Sequence, residues 1–327
     1  MLKVGLIGCG GMGTMHANCY KNLEGVQLAA VADIRREKAE ELAAGTQAAV
    51  YADGKDLIAN ADVDIIDICL PTYLHAPYAL LAMDKVSYLF VEKPVTLTVG
   101  ESEQLMEKSA QTGCRVQVGQ VIRFWDEYVA LREIVQEKRY GKVVNANFRR
   151  LSPSPEWGWN NWLLDNALSG GAAQDLHIHD TDFVLSVFGK PEKLYSVRNV
   201  LGEGNSYINT LFQYPDCAIS VEGTWDLPAS YPFTATFRVV FEKAVVENAG
   251  NGFMLYTAEG AKPIVLEKTD AVGTSESGGN ISDLGGYYNE LKYFTECIAA
   301  GSKIEKATLR DAVESLKIVK EEIAFHA

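Results

Sequence analysis

Leu2-Lys3-Val4-Gly5-Leu6-Ile7-Gly8-Cys9-Gly10-Gly11-Met12-Gly13 is the stretch that decides how this chain is read. Residues 2–7 read as a buried strand, which runs directly into Gly-x-Gly-x-x-Gly. A helical segment over 11–22 follows, then a second apolar strand from Val26 to Val31, then Asp33, twenty residues after Gly13. Alone, the glycine pattern is a weak signal. Between a strand and a helix, with an acid at that distance, it points to a dinucleotide-binding βαβ unit. Gly8 permits the tight turn, Gly10 lets the backbone approach a pyrophosphate, and Gly13 lets helix and strand pack closely. The helix start at Gly11, Met12 and Gly13 offers backbone N–H groups to the phosphates. Asp33 is placed to accept hydrogen bonds from the ribose hydroxyls and to repel a 2′-phosphate, which selects NAD. Arg35 and Arg36 offset part of that repulsion and leave NADP open. The competing structural readings are a plain turn for the glycines and a helix N-cap for Asp33.

The alternation continues outward. Helices are expected over 35–44, 55–60, 76–83 and 99–112, and strands over 48–51, 64–70, 87–92 and 115–118. Six strands with intervening helices make an α/β domain, a doubly wound parallel sheet over residues 1–120. The 87–92 run is β-branched, aromatic and apolar, as in a strand covered on both faces, and Pro94 stops it. Glu92 and Lys93 therefore emerge at the carboxyl edge, where open α/β sheets hold their ligands. A solvated surface lysine is the bland alternative. Pro71, Thr72 and His75 follow the fourth strand at the same edge and are placed to line the cofactor, against a helix cap and a satisfied histidine.

Composition bounds the partners. At 327 residues the chain exceeds a usual single core, so two domains are expected. A net charge of −13 argues against nucleic acid and anionic membranes, both of which require basic patches. No apolar stretch is long enough to span a bilayer, and the first residues lack the flanks of a signal peptide. Six scattered cysteines without a Cys-x-x-Cys pair argue against a disulfide framework or zinc site and fit a reducing cytoplasm.

Gly8-x-Gly10-x-x-Gly13, Asp33, Pro71-Thr72-x-x-His75 and Glu92-Lys93-Pro94, in this order, resemble the Gfo/Idh/MocA oxidoreductases, the family of glucose-fructose oxidoreductase and inositol dehydrogenase. Arg123-Phe124, the segment from Gly170-Gly171 through Asp175, His179 and Asp182, and the closing Tyr288-Asn289-Glu290 helix extend the likeness over nearly the whole chain. The chain departs from the pattern at Val86-Ser87-Tyr88, Asp126 and His177, of which only His177 bears on the pocket.

Residues 121–327 are expected to form an α+β domain for substrate binding and oligomerisation, built on a large, mostly antiparallel open sheet, with the C-terminal helices packing back on the first domain. A helix is expected over 127–138. Strands are expected over 142–149, 193–200, 206–214, 218–225, 233–241, 244–247, 253–257 and 263–267, a mobile loop over 272–280, and helices over 286–300 and 308–325. An uncovered sheet face favours a homodimer or homotetramer. Trp157, Trp159, Asn160, Asn161 and Trp162 form an aromatic and amide-rich loop that suits a sugar or cyclitol, or else a tryptophan-rich seam. In the segment after Gly171, read as one helix, Asp175, His179 and Asp182 fall at i, i+4 and i+7 on one face, with Asp180 off that stripe as a capping or solvated group. His177 and His179 share a face only in a strand, so no metal ligand set is expected.

The resemblance implies NAD-dependent oxidation of a secondary alcohol on a polyol ring or sugar. His179 acts as general base, Asp175 orients it, and Lys93 stabilises the developing alkoxide. Asn161, Asp182 and Tyr288 are weaker candidates for substrate hydroxyls. Two alternatives stand beside this: transient oxidation with retained NAD in glycoside cleavage, and a non-catalytic NAD sensor.

Overall fold

The structure is a computed structural model that describes residues 1–199, 207–266 and 285–325. The chain divides into two compact units, Met1–Val121 with Asp270–Val313, and Ile122–Thr269 with Glu314–Ala327.

The first unit alternates strand and helix as β1 (Leu2–Ile7), α1 (Gly11–Asn22), β2 (Val26–Ala32), α2 (Arg36–Ala43), β3 (Ala49–Tyr51), α3 (Gly54–Asn60), β4 (Ile65–Ile68), α4 (His75–Ala82), β5 (Tyr88–Glu92), α5 (Val99–Thr112) and β6 (Arg115–Gly119). The six strands form one parallel sheet in the order β3-β2-β1-β4-β5-β6. The strand order reverses between β1 and β4, which opens the ligand crevice of a doubly wound sheet at that point. Val4, Leu6, Ile65, Ile66, Ile68, Leu89, Phe90 and Val91 are all buried, which is why these strands read as apolar runs. The capping box of Thr98 and Glu101 fixes the start of α5 where the chain leaves the β5 edge.

The second unit runs α6 (Asp126–Gln136), β7 (Val143–Pro153), α7 (Asn166–Ser169), α8 (Gly171–Asp175), α9 (Ile178–Phe188), β8 (Lys193–Asn199), β9 (Tyr207–Gln213), β10 (Ala218–Leu227), β11 (Thr234–Phe241), β12 (Val245–Ala249), β13 (Gly252–Thr257) and β14 (Gly260–Pro263). These eight strands form one sheet, β14-β13-β12-β11-β7-β10-β9-β8, antiparallel except at β10–β7. Alternation along β7 turns Ala146, Phe148 and Arg150 inward, where Phe148 meets Phe183 and Phe237. The opposite face exposes Tyr195, Val197 and Leu211. Two closing helices, α10 (Gly285–Ala299) and α11 (Leu309–Ala324), end the described chain; α10 lies in the first unit and packs on α1.

Two expectations fail. The strand expected over 263–267 lies earlier, because the turn after Thr257 pairs Gly260 with Thr257 and the ladder ends at Pro263, which has no N–H to continue it. The single helix expected through Asp175, His179 and Asp182 is two helices, α8 and α9. The polar loop expected over 272–280 lies outside the described residues.

The approach of α1 to β1 depends on Gly13: a Cβ there would stand 1.8 Å from the Gly8 carbonyl oxygen. Gly13→Ala is expected to cost about 3 kcal/mol or more in urea unfolding. Gly10→Ala, whose Cβ meets only Arg35 Nη2 at 3.9 Å, is expected to stay within about 1 kcal/mol of the parent.

Candidate active site

The carboxyl edge of the parallel sheet carries the candidate cofactor residues. Gly8 adopts φ +99° after β1, and a Cβ there would lie 2.5 Å from the Cys69 carbonyl oxygen after β4. Backbone from the two central strands thus meets where the crevice opens. Gly10 is the N-cap of α1 and offers no side-chain cap, so the first N–H groups of the helix face outward without an internal acceptor from that residue. Asp33 is 8% exposed. Its Oδ2 accepts the Cys9 N–H at 2.8 Å and its Oδ1 accepts the Arg35 N–H at 2.8 Å. The Arg35 guanidinium grips the same carboxylate, Nε to Oδ1 at 3.1 Å and Nη2 to Oδ2 at 3.2 Å. Arg35 therefore covers part of the carboxylate expected to meet a ribose.

Thr72, in a short 3₁₀ turn after β4, is 1% exposed, and its Oγ1 is buried without a hydrogen-bond partner. An orphaned hydroxyl and an uncapped helix start are donors waiting for a ligand, and they fit a dinucleotide. Two other residues expected to touch the cofactor are turned elsewhere. His75 is buried with Nδ1 2.8 Å from the Pro94 carbonyl and Nε2 2.7 Å from the Leu70 carbonyl. Both ring nitrogens face backbone, so the ring ties the β4 edge to the residue after Lys93 instead of contacting a ligand. Burial lowers its pKa, against the two carbonyl contacts. Glu92 points its carboxylate inward, one oxygen accepting the Lys93 N–H at 3.0 Å. Lys93 itself is half-buried at the end of β5, before a cis Lys93–Pro94 bond.

In the second unit, the break between α8 and α9 falls between Asp175 and His179. Ala172 accepts from both Leu176 and His177, the latter a wide i−5 bond, and Asp180 then bonds His177 by an i−3 step. The cause is His177, whose buried ring reaches Glu322 Oε1 at 3.0 Å. Gly223 makes room, since a Cβ there would lie 2.8 Å from the His177 Cβ. His177 is thus a buried structural pair, not a pocket residue. Asp175 and His179 stay half-buried at the two sides of this turn.

Asp180 and Asp182 correct the helical-stripe reading. Asp180, expected to cap or to be solvated, is fully buried and accepts from two Arg150 nitrogens, Nε to Oδ2 at 2.8 Å and Nη2 to Oδ1 at 3.1 Å. Burial opposes the Arg150 charge, yet the Asp180 carboxylate raises its pKa overall. Asp182 receives Arg123 Nε at 2.6 Å, Nη2 at 2.7 Å and the Ser315 hydroxyl at 2.7 Å. Its oxygens are committed to an internal ion pair, which removes it as a substrate ligand. Its regular heptad-like spacing from Asp175 gave no sign of this, although the nearby Arg123 was in view. Asn161 is exposed and follows Asn160, both with left-handed φ near +50° (51° and 53°), a backbone that asparagine tolerates. Trp157 and Trp159 are exposed beside them, while Trp162 packs with Leu163, Ala172 and Trp225. Tyr288 is half-buried on α10 in the first unit.

A doubly wound sheet with a glycine-rich turn and a buried acid after its second strand, joined to an open antiparallel sheet, has the architecture of an NAD-binding oxidoreductase. Residues 2–120 match a family model described as an oxidoreductase family with an NAD-binding Rossmann fold, and residues 128–247 match the GFO/IDH/MocA C-terminal domain. The chain belongs to the GFO/IDH/MocA oxidoreductase family. It is 30% identical to an inositol 2-dehydrogenase from Pseudarthrobacter chlorophenolicus over 205 residues, 62% of this chain and 58% of that one. The matched part thus spans less than two thirds of that relative. Among solved structures it resembles a myo-inositol dehydrogenase from Corynebacterium glutamicum (TM-score 0.80, 20% identity, 99% of this chain and 96% of that one). It also resembles an oxidoreductase from Agrobacterium radiobacter in complex with NAD+, L-tartaric acid and magnesium (TM-score 0.83, 15% identity, 98% and 95%). None of these names supports the glycoside-cleaving or the sensing alternative. No described helix is long and apolar enough to cross a membrane.

Asp33→Ala is expected to weaken NAD about tenfold or more while affecting NADP less, measured by fluorescence titration of both cofactors. Arg150→Met leaves Asp180 buried without its cation and is expected to lose about 3–5 kcal/mol in urea unfolding.

Proposed function

We propose that the protein reversibly oxidises a secondary alcohol of a cyclic polyol of the inositol type. The observation that carries this is a built NAD cradle whose sheet edge also presents Lys93, on a chain whose second unit presents Asp175 and His179 beside a widened helical turn. Bound NAD supplies the hydride acceptor. Lys93, held at the end of β5, donates a hydrogen bond to the reacting hydroxyl oxygen and stabilises the alkoxide as it forms. His179 takes the hydroxyl proton on its imidazole, a contribution of about 10²–10⁴-fold. Asp175 orients that ring and favours its charged form. The inositol 2-dehydrogenase relatives support the substrate class. The exposed Trp157, Trp159 and Asn161 loop suits a ring that is apolar on its face and hydroxylated at its rim. Asn161 and Tyr288 are the remaining hydroxyl ligands in this reading. The protein works as a homodimer or homotetramer through the open face of its large sheet, and in the cytoplasm, where its six free thiols are at home.

The experiment is NADH formation with myo-inositol and its isomers, followed by absorbance. Lys93→Ala and His179→Ala are each expected to lower kcat by about 10²-fold or more with NAD affinity close to the parent's. Full turnover in either variant contradicts the mechanism.

A further inference from the structure

The first unit buries a charged cluster that the proposed reaction does not use. His16 lies on α1, three residues after Gly13. Its Nδ1 is 2.8 Å from Asp67 Oδ2, and its Nε2 is 3.0 Å from Glu92 Oε1. The first contact is a directed hydrogen bond. The second is an ionic contact without hydrogen-bond alignment. His16 and Asp67 are 0% exposed and Glu92 5%. Tyr20 donates to Asp67 Oδ2 at 2.8 Å, and Cys69 Sγ lies 3.2 Å from His16 Nδ1 and 3.5 Å from Asp67 Oδ1. The other Glu92 oxygen holds the Lys93 N–H. Gly119 on β6 reserves the space, since a Cβ there would stand 2.7 Å from Glu92 Oε1. From α10, Glu290 is fully buried and neither of its oxygens has a hydrogen-bond partner. Phe90 and Tyr287 wall the His16 ring at 5.4 and 6.2 Å.

Counting protons assigns the charges. A neutral imidazole has one N–H and one lone pair. With a carboxylate oxygen at each nitrogen, a neutral ring sets its lone pair against an anion inside a dry site, whereas an imidazolium satisfies both sides. Asp67 accepts hydrogen bonds from His16 and Tyr20, and Glu92 accepts one from Lys93, so both carboxylates serve as acceptors in the cluster. Glu290 collects none and is the neutral acid of the group. The titration directions agree. Burial alone lowers the His16 pKa, but Cys69 and the Asp67 carboxylate hold it well above the usual imidazole range. Burial, and then the Glu92 charge, push Glu290 well above the usual carboxylate range.

We propose that His16, as an imidazolium shared between Asp67 and Glu92, is a positioning residue that fixes the Lys93 backbone through Glu92. One ring then ties the helix that presents the glycine cradle to the strand that presents the lysine. This rests on the reading that Lys93 works at the reacting oxygen. The groups facing His16 are Cys19 and Tyr20 on α1, Asp67 and Cys69 at β4, Glu92 on β5, and Tyr287 and Glu290 on α10. Both raised groups, His16 and Glu290, bind their protons more tightly in the folded state. Their contribution to stability is complete below their unfolded pKa values and is lost as pH rises through the folded ones.

The test uses the full chain. In ¹⁵N histidine NMR, with His16 assigned by comparison with His16→Gln, the His16 ring is expected to keep both ring protons at about pH 8, above the range of a free imidazole. A neutral ring there overturns the proposal. Exchange of the Lys93 amide is expected to be about tenfold faster in His16→Gln and in Glu92→Gln; an unchanged rate overturns it. In turnover, His16→Gln is expected to lower kcat about tenfold or more with NAD affinity and alcohol KM within about twofold. A fall in NAD affinity as large as the fall in kcat marks packing alone and overturns it. If His16→Gln does not fold, Glu92→Gln and the parent's ring spectrum decide. One equivalent of tightly held divalent metal by elemental analysis overturns it too, since Nε2 is then a ligand and carries no proton. A parent protein that shows the ring protonation and amide effects but oxidises no polyol contradicts the proposed function and leaves this inference standing.

Discussion

The structure depends on one close approach, the seat of Gly13 against the Gly8 carbonyl. No side chain fits there, so α1 lies directly on β1 and points its uncapped first turn at the crevice beside β4. The same approach carries His16 inward beneath the ends of β4 and β5. A glycine chosen for contact with the backbone thus sets two things at once: where the uncapped helix N–H groups lie, and how a buried imidazole reaches Glu92 beside Lys93.

The second unit is organised by desolvation. Asp180 and Asp182 stand near each other on α9, and each is buried against its own arginine, Arg150 from β7 and Arg123 from the segment after β6. A buried carboxylate without its cation is costly, so each pair holds α9 in a fixed orientation. His177 is fixed between Glu322 and the space left by Gly223. His179 sits among these anchors on a helix that has little freedom to rotate. An overall charge of −13 coexists with an interior in which anions and cations are matched one to one at these places.

Much of the fold was legible because its signals are local. Apolar runs and a glycine pattern after a strand each depend on neighbours in sequence. The six parallel strands and the antiparallel sheet follow from them. What stayed hidden depends on partners far along the chain. The i, i+4, i+7 spacing placed Asp175, His179 and Asp182 on one regular helix, but Glu322, more than a hundred residues on, draws His177 inward and widens the turn. Asp180 read as solvated because Arg150 lies on a strand whose inward parity is set by sheet packing. Thr72, Asp33, His75 and Glu92 were all singled out from their place after strands; in the structure His75 and Glu92 turn to backbone and to His16. Position at a sheet edge identifies candidates; the side-chain direction belongs to the tertiary structure.

Lys93 and His179 are proposed to act on one hydroxyl beside the nicotinamide. A crystal structure of the protein with NAD and myo-inositol tests it most directly. The account predicts the Lys93 ammonium and the His179 imidazole both at about 3 Å from the same substrate oxygen, with the carbon bearing that oxygen against the nicotinamide ring. Lys93 and His179 found on different hydroxyls, or either one turned away from the polyol, contradicts it.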